Sequence, residues 1–225
     1  MLNHGSRFLG LVRAGAYSLY ASPAFPTSGS DQVYGMDVAR LLADRDEADQ
    51  LVLSLYGQLA AGMTRGTFVS GEAATIAPVA GEYYRSMYLP PNSVSNATFL
   101  ETLRLMLIHE TESRAGRPDG LQLAYATPRG WLRPGQKIVV RLAPTSFGPI
   151  SFSLTAKPGV VDAMVDMPTA MAPAAIHLRL RLPHPNQIVG VVLNGSPYSR
   201  VDDRTGTIDL TGLTGELTLT IHTSH

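Results

Sequence analysis

The fold class of this chain is decided by residues 121–156, which read LQLAYATPRGWLRPGQKIVVRLAPTSFGPISFSLTA. Three segments of this stretch alternate apolar residues with polar or small ones, and their apolar members are Leu121-Leu123-Tyr125, Ile138-Val140-Leu142 and Ile150-Phe152-Leu154. A period of two is typical of antiparallel strands that bury one face and expose the other to water. The stretch therefore predicts paired β-strands.

The residues that follow continue the same pattern. An alternating segment places Ile176, Leu178, Leu180 and Leu182 against His177, Arg179 and Arg181, which predicts a strand whose basic side chains face water. Asn194-Gly195 is a strong hairpin signal, and the last strand is predicted to point Leu217, Leu219 and Ile221 inward and Thr218, Thr220 and His222 outward. Roughly eight short strands separated by turns indicate an antiparallel β-sandwich over residues 119–225.

The residues before this stretch predict helices and glycine-rich loops. A helix is expected from about Asp46 to Gly62, with the apolar stripe Val52, Leu55, Tyr56, Leu59 and Met63. Asn96 or Ser95 is expected to cap a second helix that runs to about His109 or Glu110, and residues 7–20 are weakly helical. The second helix is apolar nearly all round, so other helices or the β half must cover it.

The fold class is therefore α+β, with a helical segment at residues 1–118 followed by an antiparallel β-sandwich at residues 119–225. Residues 112–120, ESRAGRPDG, are predicted to link the two halves. The single tryptophan, Trp131, is expected to fill the junction between them together with Tyr125, because its ring is so large; an exposed sugar-stacking role is the alternative.

Composition narrows the function classes. Lys+Arg and Asp+Glu both number 18, so no long-range field favours nucleic acid or an anionic membrane as a partner. There is no cysteine, which excludes disulfides and thiolate chemistry. No apolar run is long enough for a membrane span, and the N-terminal residues make a poor signal peptide. A cytoplasmic protein and a part of a longer secreted protein both fit.

The standard catalytic and cofactor motifs are missing, so no cofactor is expected. The six histidines do not have the spacing of metal ligands, and no metal site is predicted. Asn96-Ala97-Thr98 matches a glycosylation sequon, but its position at a helix start favours a capping role.

The segment of residues 62–92 is the candidate site, because it is far longer than a helix–helix connection needs. Carboxylates, aromatic rings and arginines occur together in it, as a sugar-processing site requires: Arg65, Glu72, Glu82, Tyr83, Tyr84, Arg85 and Tyr88. Glu72 and Glu82 are the candidate catalytic carboxylates, and the arginines and tyrosines are the candidate substrate-binding residues. The alternative is that the tyrosines pack on the helices while the glutamates are solvated.

Two strings carry a family resemblance. ATPRGWLRPGQKIVVRLAPTSFGPISFSL resembles the C-terminal β-sandwich of bacterial proteins whose main body is a six-hairpin, (α/α)6-toroid glycosidase-like domain. GMTRGTFVSGEAATIAPVAGEYYRSMYLPPNSVSNATFLETLRLML is similar to the part that closes the toroid in those proteins, and the resemblance runs from about Val33 to Leu193. It implies that the apolar helix is an inner toroid helix, and that Glu72 and Glu82 lie where glucoamylase-like members place a catalytic carboxylate.

Three functions follow as hypotheses. The preferred one is the C-terminal part of a glycoside hydrolase-like protein, which acts on carbohydrate only with the missing N-terminal helices and is inactive in isolation. The second is a non-catalytic carbohydrate-binding or structural β-sandwich module. The third is an interaction subunit whose helices complete the toroid of a partner protein chain.

Overall fold

A computed structural model describes residues 29–31, 33, 37–75 and 87–224. The chain consists of two compact units, Met1–Met106 and Leu107–His225. The described helices lie near the N-terminus and the larger sheets follow, so the α+β class is confirmed. The observed division falls at Met106/Leu107, whereas the sequence analysis placed the boundary at 118/119.

The first unit contains three helices and a small sheet. The helices are α1 (Val38–Asp44), α2 (Ala48–Ala61) and α3 (Ser93–Leu107), whose last residue already belongs to the second unit. The strands β1 (Gly29–Asp31), β2 (Ala73–Thr75) and β3 (Met87–Tyr88) form an antiparallel sheet in the order β1-β2-β3. None of the described helices is long and apolar enough to cross a membrane. The weak helix expected at residues 7–20 lies outside the described residues.

Helix α3 differs from its prediction at both ends. The Asn92 side chain accepts a hydrogen bond from Ser95 N at 3.0 Å, so Asn92 takes the capping role expected of Ser95 or Asn96. The helix stops at Leu107, and residues Ile108–Glu112 form a strand instead. The expected extension to His109 was wrong, because β-sheet pairing of these residues replaces the helical hydrogen bonds.

The burial pattern of α2 and α3 is the least expected feature of the first unit. Leu55 and Met63 of the predicted α2 stripe are buried, but Tyr56 is exposed. Ser54 and Gln58 are fully buried instead, and α3 buries the hydroxyl residues Ser95, Thr98 and Thr102 while exposing Leu100. Each helix therefore buries a polar stripe and turns part of its apolar surface outward.

The second unit contains eleven strands in two sheets. They are β4 (Ile108–Glu112), β5 (Pro118–Leu123), β6 (Lys137–Ala143), β7 (Ile150–Lys157), β8 (Val160–Asp166), β9 (Ala175–Arg179), β10 (Ile188–Leu193), β11 (Ser196–Pro197), β12 (Val201–Asp202), β13 (Thr207–Asp209) and β14 (Glu216–Thr223). One sheet has the order β11-β10-β14-β8-β7-β6 and the other β12-β13-β9-β5-β4. Side chains from both sheets form one hydrophobic core, as in a β-sandwich.

The predicted alternation holds in most strands. Ile150, Phe152 and Leu154 of β7 are buried, as are Leu217, Leu219 and Ile221 of β14. Asn194 and Gly195 both have positive φ, 48° and 82°, and turn β10 into β11 as predicted. Trp131 lies in a 3-10 turn at Arg129–Leu132, half-buried against this core, and Tyr125 is buried. A contact of either residue with the helices stays a prediction.

Three details of the sandwich contradict the sequence analysis. Leu142 points outward with 72% of its surface exposed, because a register shift between Val140 and Ala143 interrupts the alternation of β6. Arg181 was expected in water but is buried, since it lies beyond the end of β9 and its Nη1 donates to Thr127 O at 3.1 Å. The second sheet is mixed, because β5 and β9 pair in parallel.

Candidate functional site

The candidate site of residues 62–92 is built on the small sheet of the first unit. Pairing of β2 with β3 sets Ala73 opposite Tyr88, and Glu72 N donates to Tyr88 O at 2.9 Å. Glu72 is half-buried, whereas 54% of Tyr88 is exposed. The structure thus brings two of the predicted site residues, Glu72 and Tyr88, onto neighbouring backbone segments.

A buried serine ties this sheet to the start of α3. Ser70 Oγ lies 2.9 Å from Asn92 O and 2.8 Å from Asn96 Oδ1, and Asn92 N donates to Ser70 O at 2.9 Å. The Asn96 side chain therefore anchors the loop rather than capping the helix. Close packing continues at Gly71, where an added Cβ would lie 2.3 Å from the Met87 side chain, so any larger residue would push the two segments apart.

Residues 64–69, which we call the 64–69 loop, lie immediately before this serine. Thr64 N donates to Val69 O at 2.9 Å, Phe68 N to Thr64 O at 3.0 Å and Val69 N to Thr64 Oγ1 at 2.8 Å. An isolated bridge between Met63 and Ser70 closes its base. The loop presents Arg65 and Phe68 to solvent from a backbone that its own hydrogen bonds hold in place.

The other predicted residues of this site, Glu82, Tyr83, Tyr84 and Arg85, lie outside the described residues. Glu72 is therefore the one predicted catalytic carboxylate whose position is known. Glycoside hydrolysis normally needs two carboxylates on opposite sides of the scissile bond, and the described part of the site supplies one. In the described parts of the chain, no group of three or more histidine or acidic residues is arranged to hold a metal ion.

A second polar cluster crosses the outer face of the five-stranded sheet. Strand register sets His109, Gln122, His177 and Asp209 side by side on four neighbouring strands. Gln122 Nε2 lies 3.3 Å from His177 Nδ1, and His177 Nε2 lies 3.8 Å from Asp209 Oδ1. At the buried end of the row, the rings of His109 and Tyr125 are 5.1 Å apart, and the Arg179 guanidinium lies 5.4 Å from the Tyr125 ring centre.

The carboxylate of this cluster, Asp209, already accepts hydrogen bonds from neighbouring protein groups. Arg200 donates to Asp209 Oδ2 through Nε and Nη2, and Thr211 N donates to Asp209 Oδ1 at 2.8 Å. Burial raises the pKa of Asp209, but hydrogen bonds from Thr211 and Arg200 outweigh this and hold the pKa below its ordinary value. A carboxylate that is bonded in this way braces β13 and has little capacity left for a ligand.

Sequence analysis missed the most unusual residues of the candidate site. Phe68 and Leu89 have positive φ values of 54° and 44°, and both side chains are largely exposed. Bulky residues seldom adopt this conformation, and propensity rules assign it to glycine or asparagine. The only local signal was the Thr-Arg-Gly turn at residues 64–66, which marks a loop without indicating which side chain it presents.

The comparisons with known proteins give distant similarities. No protein-family model matches the chain, and no curated protein matches it. Among solved structures, it is similar to a chain described as "Glycoside hydrolase" (15% identity, 92% of this chain and 34% of that chain, TM-score 0.41). It is also similar to a GH127 beta-L-arabinofuranosidase from Geobacillus Stearothermophilus T6 (14% identity, 92% and 33%, TM-score 0.38).

A third similar structure is an alpha-L-rhamnosidase from Dictyoglumus thermophilum (9% identity, 63% of this chain and 16% of that chain, TM-score 0.36). The chain thus spans 34% or less of the length of each of these proteins. At these TM-scores the similarity assigns neither a substrate nor a catalytic residue to this chain.

Proposed function

We propose that this chain is the C-terminal part of a glycoside hydrolase-like, carbohydrate-active protein and has no hydrolase activity in isolation. The observation that carries the proposal is the outer surface of the helices, where Leu53 of α2 and Leu100 of α3 are 60% and 62% exposed. Large apolar side chains in water at the middle of two helices are expected where further helices pack.

The inward faces of the same helices support this interpretation. Gln58 Nε2 of α2 donates to Thr102 Oγ1 of α3 at 2.8 Å, and both residues are fully buried. The contact between these helices therefore includes a polar pair, while apolar area remains outside. A helix that lies between two neighbouring helices, as in an α/α toroid, packs against one of them with each of its two faces.

The assignment to carbohydrate comes from the sequence resemblance of residues 62–107 together with the candidate site. Glu72 is half-buried, and its backbone N–H donates to the carbonyl of the exposed Tyr88. A proton-transfer group and an aromatic ring therefore come from neighbouring backbone segments. Since glycoside hydrolysis needs a second carboxylate, the complete protein must supply the other side of the cleft. Glu82 and the missing helices are the candidates for that role.

The catalytic part of the proposal is tested with two proteins. The 225-residue chain and the same chain extended by its natural upstream sequence are assayed against nitrophenyl glycosides and polysaccharides. We expect hydrolysis only by the extended protein, with a loss of about 10²-fold or more on Glu72→Gln if this carboxylate transfers the proton. Hydrolysis by the isolated chain that Glu72→Gln abolishes would contradict the proposal.

The helical surface is tested separately with a hydrophobic dye and a mass measurement in solution. The chain should bind the dye or self-associate, and joint Leu53→Lys and Leu100→Lys substitutions should reduce both effects. Val139→Lys, in which an exposed side chain of the second unit is changed, is the matched control. A monomer with low dye binding would argue against missing helices, and equally against the alternative of an interaction subunit that completes a partner's toroid.

The other alternative, a carbohydrate-binding β-sandwich, has weaker support. Strand register places Val139, Ser153, Met164 and Thr218 in one row on the outer face of the six-stranded sheet. This described row has no aromatic ring on which a sugar could stack. Glycan binding by residues 107–225 alone would favour this alternative over the proposal.

A further inference from the structure

Phe68 combines a left-handed backbone conformation with a largely exposed ring. Its φ of 54° is one that bulky residues seldom adopt, and 63% of its surface is exposed. Glycine would adopt this conformation without strain, as Gly66 does two residues earlier with a φ of 81°. The turn therefore does not require a phenyl ring. Because the ring is largely exposed, its burial does little to offset the cost of the strained backbone.

Hydrogen bonds within the loop hold the backbone of Phe68 in this conformation. Phe68 N donates to Thr64 O, and its neighbour Val69 is bonded to Thr64 through both N and O. The hydroxyls of Thr64 and Thr67 are 2.6 Å apart. Backbone strain that surrounding hydrogen bonds maintain is typical of residues that contact a ligand. A loop backbone that is held before a ligand arrives also loses little entropy on binding.

The same loop carries a cation with unused hydrogen-bonding capacity. Arg65 is exposed, and within the described residues its guanidinium has no hydrogen bond or ion pair. A guanidinium offers five N–H donors in a planar fork that matches a carboxylate. Only three positions along the chain separate this cation from the strained aromatic ring.

We propose that the 64–69 loop binds an acidic sugar residue of a glycan. In this arrangement the Phe68 ring packs against the apolar C–H face of the sugar, and the Arg65 guanidinium pairs with its carboxylate. The inference rests on the proposed carbohydrate function and names uronic-acid-containing glycans as the substrate class. One ring and one cation on a six-residue loop suit a single sugar, whereas a stable protein interface takes roughly 20–30 residues a side.

The test observes Phe68 directly in the 225-residue chain. Labelling with 4-fluorophenylalanine gives six fluorine signals, one for each phenylalanine, and Phe68→Tyr identifies the signal of Phe68. The probes are the galacturonic acid trimer and the neutral galactose trimer. We expect the acidic trimer to shift the Phe68 signal with an affinity about tenfold higher than the neutral one, because the ion pair forms only with the acid.

Two substitutions separate the roles of the two residues. Binding by these variants is measured by calorimetry. Arg65→Gln should make the affinities for the two trimers equal, and Phe68→Gly should abolish binding of both trimers. Because glycine relieves the strain at this position, Phe68→Gly should leave the melting temperature unchanged or raise it. Phe68→Tyr keeps the ring and should retain binding.

Matched controls come from the second unit. Leu142 is also exposed with a positive φ of 46°, so Leu142→Gly removes an apolar side chain and relieves strain in the same way. Arg114→Gln removes another exposed guanidinium. Neither control should change trimer binding.

Each contrary result has a definite meaning. Equal binding of the two trimers that is insensitive to Arg65→Gln would overturn the acidic-sugar inference and leave the proposed carbohydrate function standing. A Phe68 signal that responds to neither trimer would overturn the role of the loop, and a lower melting temperature of Phe68→Gly would show that the ring is structural. The proposed function is contradicted only by its own tests, which are the hydrolysis assays and the dye and mass measurements.

Discussion

The two units of this chain differ in the side chains that their described elements bury. The second unit has an aliphatic core from both sheets, and the charged groups of the cluster around Asp209 are paired at its surface. In the first unit, α2 and α3 bury serine, threonine and glutamine and leave leucines in water. The two sheets of the second unit thus enclose a core of their own, whereas α2 and α3 leave apolar area that further helices cover in the function we propose.

The largest expected effect is in the sandwich core. Leu154→Ala removes a fully buried side chain and should destabilise the second unit by about 2–5 kcal/mol, the range for such cavities. Trp131 is the single tryptophan and packs on this core, so its fluorescence reports unfolding of this unit. Leu142→Ala, at an exposed position, should change stability by no more than about 0.5 kcal/mol. Equal losses in the two variants would contradict the burial assigned to these strands.

A smaller loss of stability is expected when the hydrogen bond between α2 and α3 is removed. Thr102→Val removes the hydroxyl that accepts the buried hydrogen bond from Gln58 Nε2, which should cost about 1–3 kcal/mol. Far-UV circular dichroism at the helical band should show the loss, while Trp131 fluorescence follows the second unit. Ser93→Ala, at an exposed position of α3, serves as the control. A Thr102→Val variant as stable as the parent would show that the polar stripe contributes no specific packing.

The two units also differ in how much of their structure the sequence could predict. In β7 and β14 the period of two gave the correct inward faces, because burial on one side of a sheet fixes side-chain direction. The directions of Leu142 and Arg181 were predicted wrongly. A register shift in β6 breaks the period at Leu142, and β9 ends before Arg181, and neither change has a local signal in the sequence. For α2 the apolar stripe predicted that Tyr56 is buried, but Tyr56 is exposed. The apolar pattern of a helix therefore does not determine by itself which of its faces packs against a neighbouring element.

The candidate site was predictable only as a segment. Its length and its mixture of glutamate, tyrosine and arginine identified residues 62–92, and the structure then paired Glu72 with Tyr88 along the backbone. The left-handed conformation of Phe68 could not be predicted, because it results from several hydrogen bonds closing one loop and runs against the preference of the residue. The Ser70 contacts with Asn92 and Asn96 were likewise invisible, since they join residues 22 and 26 positions apart.

The smallest expected effect concerns pH and the paired carboxylates of the second unit. Hydrogen bonds from Thr211 and Arg200 outweigh the effect of burial and lower the pKa of Asp209, and the Thr205 hydroxyl lowers the pKa of Asp202. A lowered pKa in the folded state means that the folded protein binds fewer protons than the unfolded chain. The stability from these carboxylates is therefore fully present above their unfolded pKa values, near 4, and is lost as the pH falls through the lower folded values.

The contact of Gln58 with Thr102 contains no titratable group, so acid should leave it unchanged. We expect the second unit, followed by Trp131 fluorescence in urea, to lose stability as the pH falls below about 4. Arg200→Ala should flatten this dependence and change the stability at neutral pH only slightly, because an exposed ion pair contributes little, while Arg114→Ala should change neither. An acid dependence that Arg200→Ala leaves intact would show that it depends on the hydrogen bonds of Thr211 to Asp209 and of Thr205 to Asp202, and not on Arg200.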